Sequence, residues 1–125
     1  MKANYKLALT LFAGAILGAA TIQGINAQAK APAYVVVDIA EMTDAQLFRT
    51  LIPKALDAVS AFKGHYVVRT EKITSLDGTA PKRFVIIAFD SVETAKAWSN
   101  SPAQKKIDAI RTQSSKSRSF IVEGM

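Results

Sequence analysis

The pattern of apolar and polar positions along the chain predicts four β-strands. Residues 34–39 and 83–89 are apolar at both odd and even positions and rich in β-branched side chains, which is typical of central strands that are covered on both faces. Residues 65–73 alternate more regularly, as expected of a strand at a sheet edge. A short fourth strand is predicted at residues 120–123, after a polar linker at residues 114–119.

A first helical segment is predicted between the first two strands. Apolar side chains recur every three or four positions over residues 47–62, which indicates an amphipathic helix. Thr43 and Gln46 form a capping-box pattern at its start. Pro53 predicts a kink or a break just before it, because proline lacks a backbone N–H and crowds the preceding turn. Gly64 is expected to provide a left-handed residue at the end of the helix.

A second helical segment is predicted in two pieces after the third strand. Asp90 or Ser91 is a suitable N-cap for the first piece, and Asn100 is expected to take the left-handed turn that ends it. Ser101 and Pro102 then restart a helix, because serine caps well and proline suits the first helical position. The break is therefore predicted at Asn100–Pro102.

The element order β-α-β-β-α-β predicts an α+β, ferredoxin-like fold with a four-stranded antiparallel sheet. In that topology the first and third strands are central, in agreement with their apolar character. The helices cover only one face of the sheet, and apolar side chains such as Val36 or Ile86 are left on the other. We expect a second copy of the chain to cover that face, so a homodimer is predicted.

Residues 1–29 are typical of a secretory signal peptide. Lys2 and Lys6 precede an uncharged apolar run at residues 7–20, and Ala29 ends a small-residue cleavage pattern. The alternative is a retained membrane anchor, but the run is shorter than the ~20 residues that span a bilayer. We therefore predict cleavage, a periplasmic or secreted location in a bacterium, and no membrane attachment of the processed protein.

The composition of the remaining domain, residues 30–125, excludes several functions. The chain has a net charge of +6, which falls to +4 when Lys2 and Lys6 are removed, and its basic residues are scattered. No nucleic-acid partner is predicted, since that would need a dense basic stripe with aromatics. With no cysteine there is no disulfide or thiol chemistry. Common catalytic motifs are absent, and neither a cofactor nor a metal is predicted.

A set of positions distributed over the domain forms a pattern that a known family shares. The most specific members are Phe89, Ser91, Ala95, Ala97, Trp98, Asn100, Ser101 and Pro102, joined by Gly64, Tyr66, Arg69, Asp77, Gly78, Arg111, Val122 and Gly124. On this pattern, residues 34–124 resemble the DUF1330 family, small uncharacterised bacterial proteins of the dimeric α/β-barrel superfamily. The resemblance implies a homodimer of ferredoxin-like protomers. The chain departs from the family pattern at Thr70 and Glu71, where members of the family usually have a glycine pair.

Five residues are candidates for a ligand-binding site: His65, Tyr66, Arg69, Trp98 and Arg111. Arginine binds carboxylates through paired hydrogen bonds, and aromatic side chains commonly line small-molecule sites. His65 and Arg69 have the same parity in their strand and are expected to face one cavity. Each candidate also has a structural interpretation: a half-exposed strand histidine, a strand tyrosine whose hydroxyl reaches only water, salt bridges for the arginines, and core packing for Trp98.

Three functions remain open at this level. The first is an exported homodimer that binds a small organic ligand in a cavity at the sheet face. The second, by analogy with the fold superfamily alone, is a cofactor-free enzyme that resembles a monooxygenase or an isomerase. The third is a structural or interaction dimer without a ligand. The residues alone do not distinguish enzyme from binding protein.

Overall fold

The computed structural model describes residues 30–125, so the predicted signal peptide at residues 1–29 lies outside the described residues. The elements in chain order are β1 (Ala33–Met42), α1 (Ala45–Arg49), α2 (Ile52–Ala61), β2 (His65–Thr70), β3 (Arg83–Phe89), α3 (Val92–Ser99), α4 (Pro102–Ser114) and β4 (Ser115–Glu123). No helix within residues 30–125 is long and apolar enough to cross a membrane.

The four strands form one antiparallel sheet in the order β2-β3-β1-β4. The predicted ferredoxin-like α+β fold is therefore confirmed, with β1 and β3 in the centre and β2 and β4 at the edges. The register explains why the central strands are apolar at both parities. Val35 lies opposite Ile87, whereas its neighbour Val36 lies opposite Ile86, and successive residues of a strand point to opposite faces.

The helices cover the face of the sheet that carries the odd-numbered residues of β1 and β3. The core between sheet and helices is built from Ala33, Val35, Ile39, Val85, Ile87 and Phe89 of the sheet and Phe48, Leu51, Ala58, Val59, Ala95, Trp98 and Ile107 of the helical layer. We refer to this side as the helix-facing side of the sheet. The opposite side, which carries residues such as Val36, Ile86 and Phe120, is called the outer face.

Both helical segments are interrupted where the sequence predicts it. Pro53 lies in the first turn of α2, which follows α1 after a short gap. Ser101 caps α4, with Pro102 as its first residue, so the predicted break at Asn100–Pro102 is also confirmed. Asn100, however, has φ −91°, in the right-handed region rather than the expected left-handed one. Its backbone N–H bonds to the Lys96 carbonyl and simply continues the helical pattern to its end.

The start of α1 differs in detail from the predicted capping box. Asp44 is the N-cap, and its carboxylate accepts a hydrogen bond of 3.0 Å from the Leu47 backbone N–H. The backbone N–H groups of Thr43 and Asp44 both donate to the Ser114 carbonyl, at 2.9 and 3.0 Å. Because this contact attaches the chain to the end of α4, the helix starts one residue later than the Thr43 pattern suggests.

A β-bulge changes the facing of residues along β2. Tyr66 pairs with Ile87, but the next ladder pair is Val68 with Ile86, so Val67 is an extra residue. His65 lies opposite Ala88 and belongs to the outer face, whereas Arg69 lies opposite Val85 on the helix-facing side. The expectation that His65 and Arg69 face one cavity is therefore wrong, because an inserted residue reverses the parity of all residues beyond it.

In the turn between α2 and β2, Lys63 and Gly64 have different structural roles from those predicted. Lys63 is the residue with positive φ, at 59°. Gly64 is needed for space instead, because a Cβ atom there would lie 2.5 Å from the Phe89 ring. The glycine thus allows α2 to return to the sheet directly over a core phenylalanine.

The last strand is longer than predicted, and no polar linker precedes it. Helix α4 runs to Ser114 and β4 begins at Ser115. Ser117 pairs with Ile39, and Ser115 with Met42, so the polar residues extend β4 alongside the end of β1. A strand at a sheet edge tolerates such polar side chains, which is why the composition of residues 114–119 gave the wrong expectation.

Candidate functional site

A cavity of about 90 Å³ lies between the helix-facing side of the sheet and the helical layer. Most of its wall is apolar and comes from core residues of β1, β3 and the helices. The polar or amphipathic part of the wall comprises Tyr66, Arg69, Arg83, Trp98, Ser99, Gln104, Asp108, Arg111 and Ser119. An apolar pocket with a few convergent polar groups is the usual form of a small-molecule site.

Three arginines line the cavity, together with one carboxylate, that of Asp108. The side chains of Arg83 and Arg111 are only 16% and 13% exposed, so their charges are poorly hydrated. Arg69 lies with its guanidinium 5.1 Å from the centre of the Tyr66 ring. Within residues 30–125 Arg69 forms no ion pair, whereas the other two arginines do.

The ion pairs of the cavity orient the two buried arginines. Arg83 contacts the exposed Glu71 carboxylate at 3.3 Å. Arg111 contacts Asp108 at 3.2 Å through one nitrogen and donates through another to the Ser117 hydroxyl at 2.7 Å. Each guanidinium has five N–H donors, so these contacts fix the arginines and leave further donors for a bound group.

Two residues that line the cavity each carry a buried polar atom with no hydrogen-bond partner within residues 30–125: Nε1 of Trp98 and Oε1 of Gln104. Trp98 is 6% exposed and Gln104 is 5% exposed. Trp98 lies in α3 and packs against the ring of Phe89, with 5.2 Å between ring centres. Gln104 lies in the first turn of α4, which Ser101 caps by accepting from the Gln104 backbone N–H. Orphaned buried groups are rare and costly, and they often mark a site for a ligand or water.

Tyr66 has a perturbed environment. Burial raises the pKa of its phenol above the ordinary value, because desolvation disfavours the charged phenolate, and the nearby positive charges of Arg69 and Arg83 partly oppose this effect. The side chain is therefore a neutral hydroxyl at physiological pH, able both to donate and to accept a hydrogen bond at the cavity wall.

The structure brings together four of the five residues that the sequence suggested as a ligand site. Tyr66, Arg69, Trp98 and Arg111 all line the cavity. His65 does not, since it lies exposed on the outer face beyond the bulge. Among the described residues, no group of three or more histidine, aspartate or glutamate side chains is placed to hold a metal ion.

Arg83, Gln104 and Asp108 also line the cavity, although they are not among the five candidates predicted from the sequence. The sequence nevertheless contains patterns that place these three residues at the cavity. Arg83 has the same parity as Val85 and Ile87, so a cation at the start of a central strand had to face the helices. Gln104, Asp108 and Arg111 are spaced by four and three residues, which places them on one helix face.

The fold and the cavity define a ferredoxin-like α+β domain with a potential small-molecule site between sheet and helices. The chain belongs to the family described as a domain of unknown function, DUF1330, which matches residues 32–125. The expected family membership is thereby confirmed.

Solved structures with the same fold include a protein of unknown function from Rhodopseudomonas palustris, with 12% identity, a TM-score of 0.64, and coverage of 85% of this chain and 92% of that chain. Another is SnoaB, a cofactor-independent oxygenase from Streptomyces nogalater, with 12% identity, a TM-score of 0.54, and coverage of 76% and 94%. At such identities the similarity shows the fold alone. No curated protein sequence matches the chain.

Proposed function

We propose that this domain binds a small organic anion in the cavity between the sheet and the helices. The observation that carries the proposal is the cluster of Arg69, Arg83 and Arg111 around a largely apolar cavity whose one lining carboxylate is already paired with Arg111. Three guanidinium groups against one lining carboxylate leave an excess of positive charge at the cavity, which a bound anion would neutralise.

The arginines are suited to different parts of the binding event. Arg83 and Arg111 are mostly buried and oriented by their ion pairs, so a carboxylate would meet them in a poorly hydrated environment where charge-assisted hydrogen bonds are strong. Arg69 is exposed and lacks a carboxylate partner among the described residues. Its charge is available to attract an anion to the cavity and to neutralise it once bound.

The size of the cavity limits the ligand. A single water needs about 10–15 Å³ measured in the same way, so about 90 Å³ accommodates several waters or an organic acid of a few heavy atoms. Short-chain carboxylates such as butyrate fit this description, with the carboxylate at the arginines and the alkyl chain against the apolar wall. Under the alternative of a cofactor-free enzyme, the same binding step would come first.

Calorimetric titration with butyrate tests the proposal. Arg69→Gln is the informative variant, because Arg69 is exposed and its loss should leave the fold intact. Arg118→Gln is the control for overall charge: Arg118 is also an exposed edge-strand arginine beside an aromatic ring, at 5.9 Å from the centre of Phe120, but it lies on the outer face, where it pairs with Asp38 at 3.3 Å.

We expect butyrate to bind the wild-type protein and the Arg118→Gln variant equally. Arg69→Gln should weaken binding by about 5- to 30-fold, in line with roughly 1–2 kcal/mol for loss of one charged contact at a partly exposed site. If both substitutions weaken butyrate binding equally, the loss of affinity reflects the net charge of the protein and not a contact with Arg69. Failure of butyrate and of every other short-chain carboxylate to bind the wild type would contradict the proposal.

We further propose that the outer face is covered by a second copy of the chain. Phe120 and Val122 are 45% and 44% exposed on this face. Phe120 is paired with Val36 of the central strand β1, which is 9% exposed, so the exposed apolar side chains of this patch lie along the edge strand β4. In a symmetric dimer the same patch is buried on both protomers, which leaves the two ligand cavities on the outside of the paired sheets.

Export is part of the same proposal and rests on the sequence of residues 1–29. The processed domain would then meet its ligand outside the cytoplasm. Fractionation of the source bacterium followed by N-terminal sequencing checks this directly: a mature protein that starts near residue 30 is expected, and an intact Met1 would contradict it.

A further inference from the structure

The two unpartnered atoms on residues that line the cavity limit the chemical class of ligand that the site can bind. Trp98 Nε1 is a hydrogen-bond donor and Gln104 Oε1 is an acceptor, and both are buried without a partner in the described part of the chain. We infer that the ligand is a hydroxy acid: an anionic carboxylate for the arginines and, on the same small molecule, a hydroxyl for Trp98 and Gln104. This inference rests on the proposed anion binding and specifies its substrate class.

The acceptor character of Gln104 follows from its neighbour. The Gln104 amide nitrogen lies 3.0 Å from Asp108 Oδ1, and a carboxylate can only accept. The NH₂ group must therefore face Asp108, which places the carbonyl oxygen, Oε1, at the free position. Asp108 is itself held by Arg111 at 3.2 Å, so the amide cannot reverse without facing a carboxylate with its own oxygen.

Apart from water, a hydroxyl is the smallest neutral group that satisfies both atoms. It accepts from an indole N–H through a lone pair and donates its own hydrogen to an amide oxygen. A carboxylate could accept from Trp98 but has no hydrogen for Gln104. An ammonium group could donate to Gln104 but has no lone pair for Trp98, and it would enter a cavity lined by three arginines.

A second reason to expect a hydroxyl on the ligand is the cost of leaving both atoms unpaired. An unsubstituted acid would bury both atoms without satisfying them, at a cost of about 1–3 kcal/mol for each group left unpaired. A site that provides hydrogen bonds for a hydroxyl discriminates strongly against the analogue that lacks it. The two atoms therefore raise the affinity for hydroxylated acids relative to unsubstituted alkanoic acids.

The test compares butyrate with 2-, 3- and 4-hydroxybutyrate, which share its carbon skeleton and differ in where the hydroxyl lies. Trp98 is the chain's one tryptophan, so its fluorescence reports on the cavity itself. At least one hydroxybutyrate should bind the wild-type protein tenfold or more tightly than butyrate.

Gln104→Met removes the acceptor and keeps the length of the side chain. This variant also loses the amide donor to Asp108, so the preference is measured as the ratio of the affinities for hydroxy acid and butyrate within the same variant. That ratio should fall to less than about threefold. Gln113→Met is the matched control, since Gln113 is an exposed glutamine of the same helix. It should keep the wild-type preference.

The outcomes distinguish failure of the hydroxy-acid inference from failure of the proposed anion binding. If butyrate and all three hydroxybutyrates bind equally, or if Gln104→Met keeps the preference, the hydroxy-acid inference is refuted while anion binding stands. If inorganic phosphate binds as tightly as the best acid, the site recognises charge alone, and the inference is again refuted. If none of the organic acids binds, the proposed function fails and the inference with it.

Discussion

Substitution of Gly64 by alanine should destabilise the fold by forcing a methyl group into the Phe89 ring. The added Cβ would lie 2.5, 2.9 and 3.0 Å from three ring atoms of Phe89. The ring cannot retreat easily, because Phe89 is 2% exposed and packs on Trp98 at 5.2 Å. Overpacking of this kind costs about 1–3 kcal/mol.

An opposing term makes the net magnitude smaller. Gly64 does not have positive φ, unlike Lys63 and Gly78, so alanine is allowed there and reduces the entropy of the unfolded chain by about 0.4–1 kcal/mol. The expected net loss of unfolding free energy is about 1–2 kcal/mol. For a domain of this size that corresponds to a decrease in Tm of about 5–15 °C.

Urea denaturation followed by Trp98 fluorescence provides the assay, with Phe89→Leu as the second substitution of a double-mutant cycle. If the clash with the ring is the cause, Gly64→Ala should cost less than about 0.5 kcal/mol in the Phe89→Leu background. Gly78→Ala is the control: Gly78 has φ +76° and open space around it, so its cost should come from backbone strain and be independent of Phe89. A Gly64→Ala variant as stable as the wild type, or no change in its cost with Phe89→Leu, would refute the reasoning.

Three further predictions concern other parts of the molecule. Phe120→Glu should prevent formation of the proposed dimer in sedimentation experiments. Leu76→Glu should not, because Leu76 is an apolar residue that is 98% exposed outside the sheet. Ser101→Ala should lower the unfolding free energy by about 0.5–2 kcal/mol in urea titrations, because it removes the N-cap of α4. Arg69→Gln should raise the pKa of Tyr66 further, seen as a shift to higher pH of the tyrosinate absorbance that Tyr66→Phe abolishes. Because the folded-state pKa of Tyr66 lies above the unfolded value, its stabilising contribution is complete below the unfolded pKa and is lost as the pH rises through the folded one.

The fold could be predicted from the sequence because its determinants are local and repeated. Pro53, Ser101 and Pro102 define helix boundaries through backbone chemistry that depends little on the rest of the chain. The apolar character of β1 and β3 at both parities reports their central position, which the strand order confirms. These signals agree with one another, which is the usual property of a sequence that specifies one fold.

The candidate site was only partly predictable, for two physical reasons. The bulge at Val67 depends on how β2 meets β3, and nothing in the alternation of β2 alone indicates it. The bulge places His65 and Arg69 on opposite sides of the sheet and Arg69 on the same side as Tyr66. One inserted residue therefore changes which side chains line the cavity. The unpaired state of Trp98 Nε1 and Gln104 Oε1 depends on distances between separate elements, which no sequence pattern shows.

The extended β4 strand illustrates the same limit. Its first residues are polar because they pair with the end of β1 at a sheet edge, and a polar run also describes a linker. The position of Ser117 in this strand has a consequence for the site, since its hydroxyl accepts from Arg111 and holds that guanidinium in the cavity wall. A residue assigned to a linker from sequence therefore supports the candidate site in the structure.

A crystal structure of the protein with the tightest-binding hydroxybutyrate tests the central claim most directly. The account predicts density for one ligand in the cavity, with its carboxylate within hydrogen-bond distance of at least one of Arg69, Arg83 and Arg111. Its hydroxyl should lie within the same reach of Trp98 Nε1 and Gln104 Oε1. Crystals grown at saturating acid that show ordered water alone at these two atoms, or the acid bound only on the outer face, would contradict it.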